Sequence, residues 1–352
     1  MTASRSNLIV GLLIGAAVAS GIFALNLSSR DDASGQAGGG KERKLKIAHS
    51  LATDHPVHKG IERFADRLKA LSGGRITCEI YPSGQLGNEV VCLERLQSGS
   101  LDFAKVSTAP VSNFVPVMNV FSLPYLFDDE AHYWNTLDGE IGTDLLGRIQ
   151  TKDSGEPSGL FGICYFDAGS RNFYSKEPIN QPSDLRGKTV RVMKDPVAIA
   201  MIEAMGGNPS PMAFGELYSA LQQGNVQAAE NNPPSFVKSR HLEVCKHFTF
   251  DHHSRIPDIF LASSTLWDKL SDQEKEWVHT AAREASAYQR KLWKTGTEEA
   301  LATMASNGVT IHRPSLKPFQ EASAPVISQF AKGDVAEYVK KIRQKVAPQT
   351  KP

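Results

Sequence analysis

The stretch GSRNFYSKEPINQPSDLRGKTVRVM, Gly169 to Met193, decides the reading of this chain. Two arginines, Arg171 and Arg191, stand near the ends of two extended segments joined by a polar turn. Arg171 opens the alternating run Asn172-Phe173-Tyr174. Pro178 and Pro182 then bracket a turn, Asp184 to Gly187 reads as a short helical turn, and Lys188 to Met193 reads as a strand. A guanidinium is a planar fork of N–H donors that meets a carboxylate with two parallel hydrogen bonds. Two such forks make an anion clamp for a small organic acid without a metal. The plainer alternative is that one or both arginines sit in surface salt bridges.

Working outward, 352 residues with 41% hydrophobic and 8% aromatic content suggest a soluble globular protein of two domains. The 39 Lys+Arg against 38 Asp+Glu carry no basic footprint for nucleic acid. A small anion remains a compatible partner.

The N-terminus reads as targeting rather than fold. Arg5 is a basic n-region, Leu8 to Leu25 is apolar, and Ala17-Val18-Ala19 fits a cleavage site, so residues 1–27 are expected to be a signal peptide or, uncleaved, an N-terminal anchor. Residues 28–43 read as a flexible tether. Export to the periplasm follows, with membrane tethering as the alternative.

From Lys44 onward strands and helices alternate. Lys44 to His49, Ile76 to Tyr81 and Leu101 to Val106 read as strands; Ile61, Phe64, Ala65, Leu68 and Leu71 lie at helical spacing after Asp54-His55-Pro56. Leu160 to Phe166 is a buried-type strand running toward Arg171, where the first domain crossing is placed. Asp195-Pro196 caps a helix ending at Gly206-Gly207, Phe214 to Gln223 is another helix, and Val226 to Glu230 a strand. Val244 to Phe250 and Ile259 to Ser263 read as strands passing back to the first domain. Ser271 to Ser306 is the longest periodic helix, with a possible Ser271/Glu274 capping box; Trp277, Val278, Ala281, Ala285, Tyr288, Leu292 and Trp293 are expected on its packed side. At 1.5 Å per residue it spans roughly 50 Å, enough to brace two domains.

A weak repeat supports two similar halves. Leu96-Gln97-Ser98-Gly99 echoes Leu221-Gln222-Gln223-Gly224, each a helix end with a glycine stop before a strand. In register, Glu89 matches Phe214 and Ser107 falls beside Asn231. Ligands in open α/β sheets bind beyond the carboxyl ends of strands, so these positions are expected to face a common cleft.

Catalysis lacks its usual anchors: no G-x-S-x-G, H-E-x-x-H, C-x-x-C or G-x-G-x-x-G occurs. The group His247, Asp251, His252 and His253, and the pair His55 and His58, are weak metal candidates; His55 reads better as a hydrogen-bonding ligand contact. The expectation is a protein without catalytic residues, cofactor or metal. Cys78, Cys92, Cys164 and Cys245 allow three disulfide pairings or buried free thiols.

Four segments, IYPSGQLGNE (Ile80 to Glu89), LQSGSLDF (Leu96 to Phe103), DLRGKTVRV (Asp184 to Val192) and PSPMAFGELYSALQQGNVQAAENNP (Pro209 to Pro233), carry a family resemblance. In order and spacing the chain resembles the substrate-binding proteins of tripartite ATP-independent periplasmic (TRAP) transporters, C4-dicarboxylate type. The resemblance implies an α/β periplasmic binding protein fold of two domains, a ligand cleft between them and a long bracing helix. It implies a protein that captures a carboxylated solute and delivers it to the permease subunits; a monomer is expected. Domain I is then 44–167 with 256–285 returning, domain II 168–255 with 286–342 packing on it, and 343–352 a tail. The resemblance gives Arg191 the ligand carboxylate, Arg171 an assisting role, Asn231 a hydrogen bond and Phe214 an apolar wall. The additional Asn232 leaves open which asparagine faces the cleft.

On the first domain, Glu89, Ser107 and His55 are the candidate ligand contacts, with Ser50. An ionised Glu89 accepts hydroxyls and repels a second carboxylate, which favours a hexuronate such as galacturonate or glucuronate. Alternatives are a C4-dicarboxylate, with Glu89 merely capping its helix, or a binding module that feeds a sensor.

Overall fold

The structure is a computed structural model that describes residues 42–344; the leader, nearly all of the tether and most of the tail lie outside them. The first half builds β1 (Arg43–Ala48), α1 (Pro56–Leu71), β2 (Ile76–Tyr81), α2 (Glu89–Gln97) and β3 (Phe103–Ser107). β1 pairs in parallel with both β2 and β3, the geometry that crossover helices permit. α1 starts where His55 Nδ1 accepts the Val57 N–H and Pro56 takes the first turn. It buries Val57, Ile61, Phe64 and Leu68 against the sheet, each worth about 1.5–3 kcal/mol. The chain continues through α3 (Thr108–Val111), α4 (Glu130–Leu137) and α5 (Glu140–Arg148) to β4 (Leu160–Phe166).

The second half contains β5 (Arg171–Ser175), β6 (Thr189–Val192), α6 (Pro196–Ala204), β7 (Asn208–Pro211), α7 (Leu217–Gln223), β8 (Ala228–Asn231), α8 (Pro233–Lys238) and β9 (His247–Ser254). Then follow β10 (Asp258–Ser263), α9 (Ser264–Trp267), α10 (Asp272–Ser306), β11 (Thr310–His312), α11 (Lys317–Phe330) and α12 (Gly333–Arg343). Two sheets result, ordered β2-β1-β3-β10-β4 and β11-β9-β5-β8-β6-β7. The chain passes between them at β4 to β5 and again at β9 to β10. The returning strand β10 therefore runs antiparallel to β3 and β4, and β5 antiparallel to β8 and β9.

α10 is the expected brace, and its Ser271/Glu274 capping box forms. It packs on α1 and β4 beside the first sheet and on α8 beside the second. Its buried side differs from the expected one in a single register step: Tyr288 is exposed, and the neighbouring Gln289 is fully buried. Gln289 fastens the crossing segment, accepting the Asp167 N–H and donating to the Asp167 carbonyl, both at 2.8 Å.

Three further expectations need correction. The helix from Phe214 is a 3-10 turn, Phe214–Glu216, followed by α7. β7 has no counterpart among the expected strands, because its Pro209 and Pro211 mask it; at a sheet edge they cost no ladder hydrogen bond. The segment 286–342 does not pack wholly on the second domain: α12 lies on α5, and His132 on α4 meets the Ile342 carbonyl at 2.7 Å. All four cysteines are free thiols, with burial raising their pKa.

Candidate functional site

Strand direction assembles the site. β6 is parallel and β5 antiparallel to β8, so the end of β6, the start of β5 and the end of β8 lie at one edge of the second sheet. Arg191, Arg171 and Asn231 occupy those three positions. In the first sheet the same logic brings together Ser107, ending β3, and Asp258, opening the antiparallel β10; the two are register partners. The two edges face each other across a cleft with an outer cavity of about 250 Å³ and an inner one of about 40 Å³. The cavities share Ser50, Glu89, Arg191, Met193 and Phe214. All seven candidates, Arg171, Arg191, Asn231, Phe214, Glu89, Ser107 and His55, line the inner one.

The two arginines are not equivalent. Arg171 is claimed by the protein: its Nε and Nη2 donate to the Glu230 carboxylate, Nη2 also to the Glu230 carbonyl at 2.9 Å, and Nη1 to Asn231 Oδ1 at 3.3 Å. Burial opposes ionisation of Glu230, yet Arg171 and His253 outweigh it and hold its carboxyl down to about 2. His253 lies between Asp251, at 2.8 Å, and Glu230, at 3.4 Å. Against the cost of burial, Asp251 chiefly raises it to about 9, so it is an imidazolium at neutral pH.

Arg191 is 2% exposed and has no carboxylate partner among the described residues. Its Nε and Nη2 both donate to the Met212 carbonyl, at 3.0 and 2.8 Å, while Nη1 is buried without a partner. Its guanidinium lies 5.7 Å from the Phe214 ring centroid, where the π face favours a cation. Burial pulls its pKa down, the electrostatic signature of a charge awaiting a counter-ion.

The paired asparagines divide their work. Asn232 caps α8 through the Ser235 N–H at 2.8 Å and donates to the Ala168 carbonyl at 3.0 Å. Asn231 Oδ1 receives Arg171 and the Asn232 N–H, which leaves its Nδ2 as the function it can offer to a ligand.

On the first-sheet side, Asn88 caps α2, and Glu89 instead accepts the Ser107 N–H at 3.1 Å. Ser107 Oγ caps α3, and His55 Nδ1 caps α1. His55 Nε2 reaches Ser235 Oγ at 3.3 Å, and Asp54 pairs with Lys238 at 3.0 Å, so the cleft is bridged beside the inner cavity.

A family model described as bacterial extracellular solute-binding protein, family 7, matches residues 47–334. The chain belongs to this family. A solute-binding protein of Chromohalobacter salexigens is 33% identical over 78% of this chain and 81% of its own. A TRAP periplasmic solute-binding protein from Citrobacter koseri, with bound D-glucuronate, superposes with a TM-score of 0.83 at 34% identity, covering 86% of this chain and all of that one. A counterpart from Xanthobacter autotrophicus, with bound β-D-galacturonate, gives 0.82 at 31% identity over 86% and 100%. This TRAP solute-binding protein thus has the two-domain α/β fold of its relatives and belongs to a family of extracytoplasmic transport components rather than enzymes.

Sequence reasoning missed several charged groups of the binding protein's cleft. Lys105 lies in a fully buried strand, Phe103-Ala104-Lys105-Val106, and a lysine inside such a run is itself a signal. Asp258 opens an equally buried strand. Of the supposed histidine metal group, Asp251 and His253 are spent on the Glu230 network and His252 on Ser170, at 2.8 Å. Among the described residues no set of three or more His, Cys, Asp or Glu could hold a metal, and no helix is long and apolar enough to cross a membrane.

Proposed function

We propose that this protein binds a hexuronate, galacturonate or glucuronate, in the periplasm and delivers it to TRAP permease subunits. The observation that carries the reading is Arg191: a cavity-lining guanidinium that has, among the described residues, no carboxylate partner and one buried nitrogen unbonded. The ligand carboxylate sits on that nitrogen, and Asn231 Nδ2 adds a second donor. Arg171, neutralised by Glu230, shapes the seat more than it supplies charge. Phe214 walls it, Glu89 and Ser107 receive the hydroxyl end, and His55, held by Val57 and Ser235, forms the wall beside them. The hexuronates bound by the two solved relatives support this choice.

Because the ligand touches both domains, binding favours closure. A micromolar affinity is worth about 8 kcal/mol, above the roughly 5.5 kcal/mol that takes a conformational equilibrium from mostly open to mostly closed. Isothermal titration of the purified chain against glucuronate, galacturonate, succinate, a keto acid and glucose tests the reading. Hexuronates bind and glucose does not. Binding of succinate in preference to hexuronates returns the assignment to C4-dicarboxylates, and failure of every acid removes the Arg191 seat.

A further inference from the structure

Among the described residues, Lys105 is the one lysine lining the inner cavity. Alternation along β3 places Phe103, Lys105 and Ser107 on one face, and pairing with β10 adds Asp258 and Phe260 to it. Beyond the buried aromatic pair Phe103 and Phe260, stacked at 5.4 Å, the face therefore ends in a charged rim at the cleft. Lys105 Nζ lies 2.9 Å from Asp258 Oδ2 and 3.6 Å from Glu89 Oε1. Its side chain is 3% exposed and that of Asp258 10%, so these charges interact with little screening from water. Burial opposes the ammonium, but the two carboxylates together outweigh it and raise its pKa.

The three groups are not saturated. An ammonium has three donors, of which Asp258 takes one and Glu89, at longer range, a second. Glu89 Oε2 and Asp258 Oδ1 have no hydrogen-bond donor among the described residues. The three cavity-lining groups thus keep one N–H donor and two carboxylate oxygens unpaired among the described residues, with a formal charge of −1. Adjacent hydroxyls, each both donor and acceptor, complement that set. A carboxylate, acceptor only, meets two like charges against one opposite charge.

We propose that Lys105 and Asp258, together with Glu89, form a hydroxyl-reading subsite that takes a vicinal diol of the ligand and rejects a second carboxylate. This rests on the sugar-acid reading above and adds the charge balance that sets its selectivity. The sum of the three charges, rather than any single contact, decides between a polyhydroxy monoacid and the corresponding diacid.

The test is the ratio of D-glucuronate to D-glucarate affinity, measured by direct and competition titration on the full chain and its variants. Glu89→Gln and Asp258→Asn each bring the subsite to neutrality and should narrow the ratio at least tenfold. Lys105→Gln leaves two carboxylates together and should widen it. A merely structural role would weaken both ligands in parallel. Asp258→Asn and Lys105→Gln break a buried ion pair, so each is read only on protein that circular dichroism shows folded; Glu89→Gln keeps that pair intact and decides the matter alone. A ratio within threefold of wild type in folded Glu89→Gln overturns the subsite while leaving the sugar-acid reading standing. Wild-type protein that binds no glucuronate overturns that reading, and the subsite with it.

Discussion

Arg191 gives two of its nitrogens to a single acceptor, the Met212 carbonyl, and holds the third buried and unbonded. That carbonyl follows β7, the edge strand paired with β6, so the sheet itself orients the guanidinium before any ligand arrives. Preorganisation of this kind lowers the ordering cost of binding.

Arg191→Ala should therefore cost about 2 to 5 kcal/mol of hexuronate binding, the range for truncating one partner of a buried charged pair. Arg191→Lys should not restore it, since a point charge cannot both grip Met212 and fork onto a carboxylate. Titration calorimetry with circular dichroism as a fold control measures both. Wild-type affinity in the alanine variant would refute the seat.

The arginine positions and the cleft-facing strand ends were legible because they follow from alternation and strand direction. The echo of Leu96 to Gly99 in Leu221 to Gly224 pointed correctly to like elements: Gly99 and Gly224 both adopt left-handed φ, 71° and 80°, and Glu89, Phe214, Ser107 and Asn231 all line one cavity. The fate of Arg171 was not legible. Its partner Glu230 is adjacent to Asn231 in sequence, yet only the β5–β8 register, Phe173 opposite Glu230, brings that carboxylate to the arginine. Gln289 escaped for a different reason: a polar residue on a helix carries no hydrophobic periodicity, so the pattern selected Tyr288 instead.

Acid should destabilise the protein early. Burial lowers His49 and His241 from 6.5 to about 3, so each favours the folded state fully above pH 6.5 and loses that contribution as pH falls toward 3. Glu230, depressed from 4.5 to about 2, adds a loss below 4.5. His253, raised from 6.5 to about 9, acts in the opposite sense: its contribution is complete below 6.5 and fades as pH rises through 9. Melting temperature should accordingly peak near neutrality and decline on both sides. A melting temperature flat from pH 7 to 4 would contradict the neutral buried histidines.

Gly60 on α1 faces α10 so closely that an added Cβ would lie 2.8 Å from Gln289 Cβ and 3.0 Å from its Cγ. Gln289 cannot retreat without releasing both bonds to Asp167. Alanine gains roughly 1 kcal/mol of helix propensity here, but overpacking costs about 1 to 3 kcal/mol. Gly60→Ala should therefore lower the melting temperature by a few degrees in calorimetry. An increase would mean that the helices separate at little cost.

The adjacent asparagines offer a separation of binding from stability within one loop. Asn232 has its Oδ1 on the Ser235 N–H as the cap of α8 and its Nδ2 on the Ala168 carbonyl in the crossing segment. Asn232→Ala should cost about 1 kcal/mol or more of stability, as caps do, with the lost Ala168 bond adding to it. Asn231 lines the inner cavity and caps no helix, and its Nδ2 has no partner among the described residues. Asn231→Ala should weaken hexuronate binding by about 0.5 to 3 kcal/mol, the range for neutral and charged hydrogen bonds, with a smaller effect on unfolding. Chemical denaturation and calorimetric titration of the two variants, run in parallel, distinguish these roles. The reverse pattern, in which Asn232→Ala abolishes binding in a stable protein and Asn231→Ala leaves it intact, would reassign the ligand's hydrogen bond to Asn232.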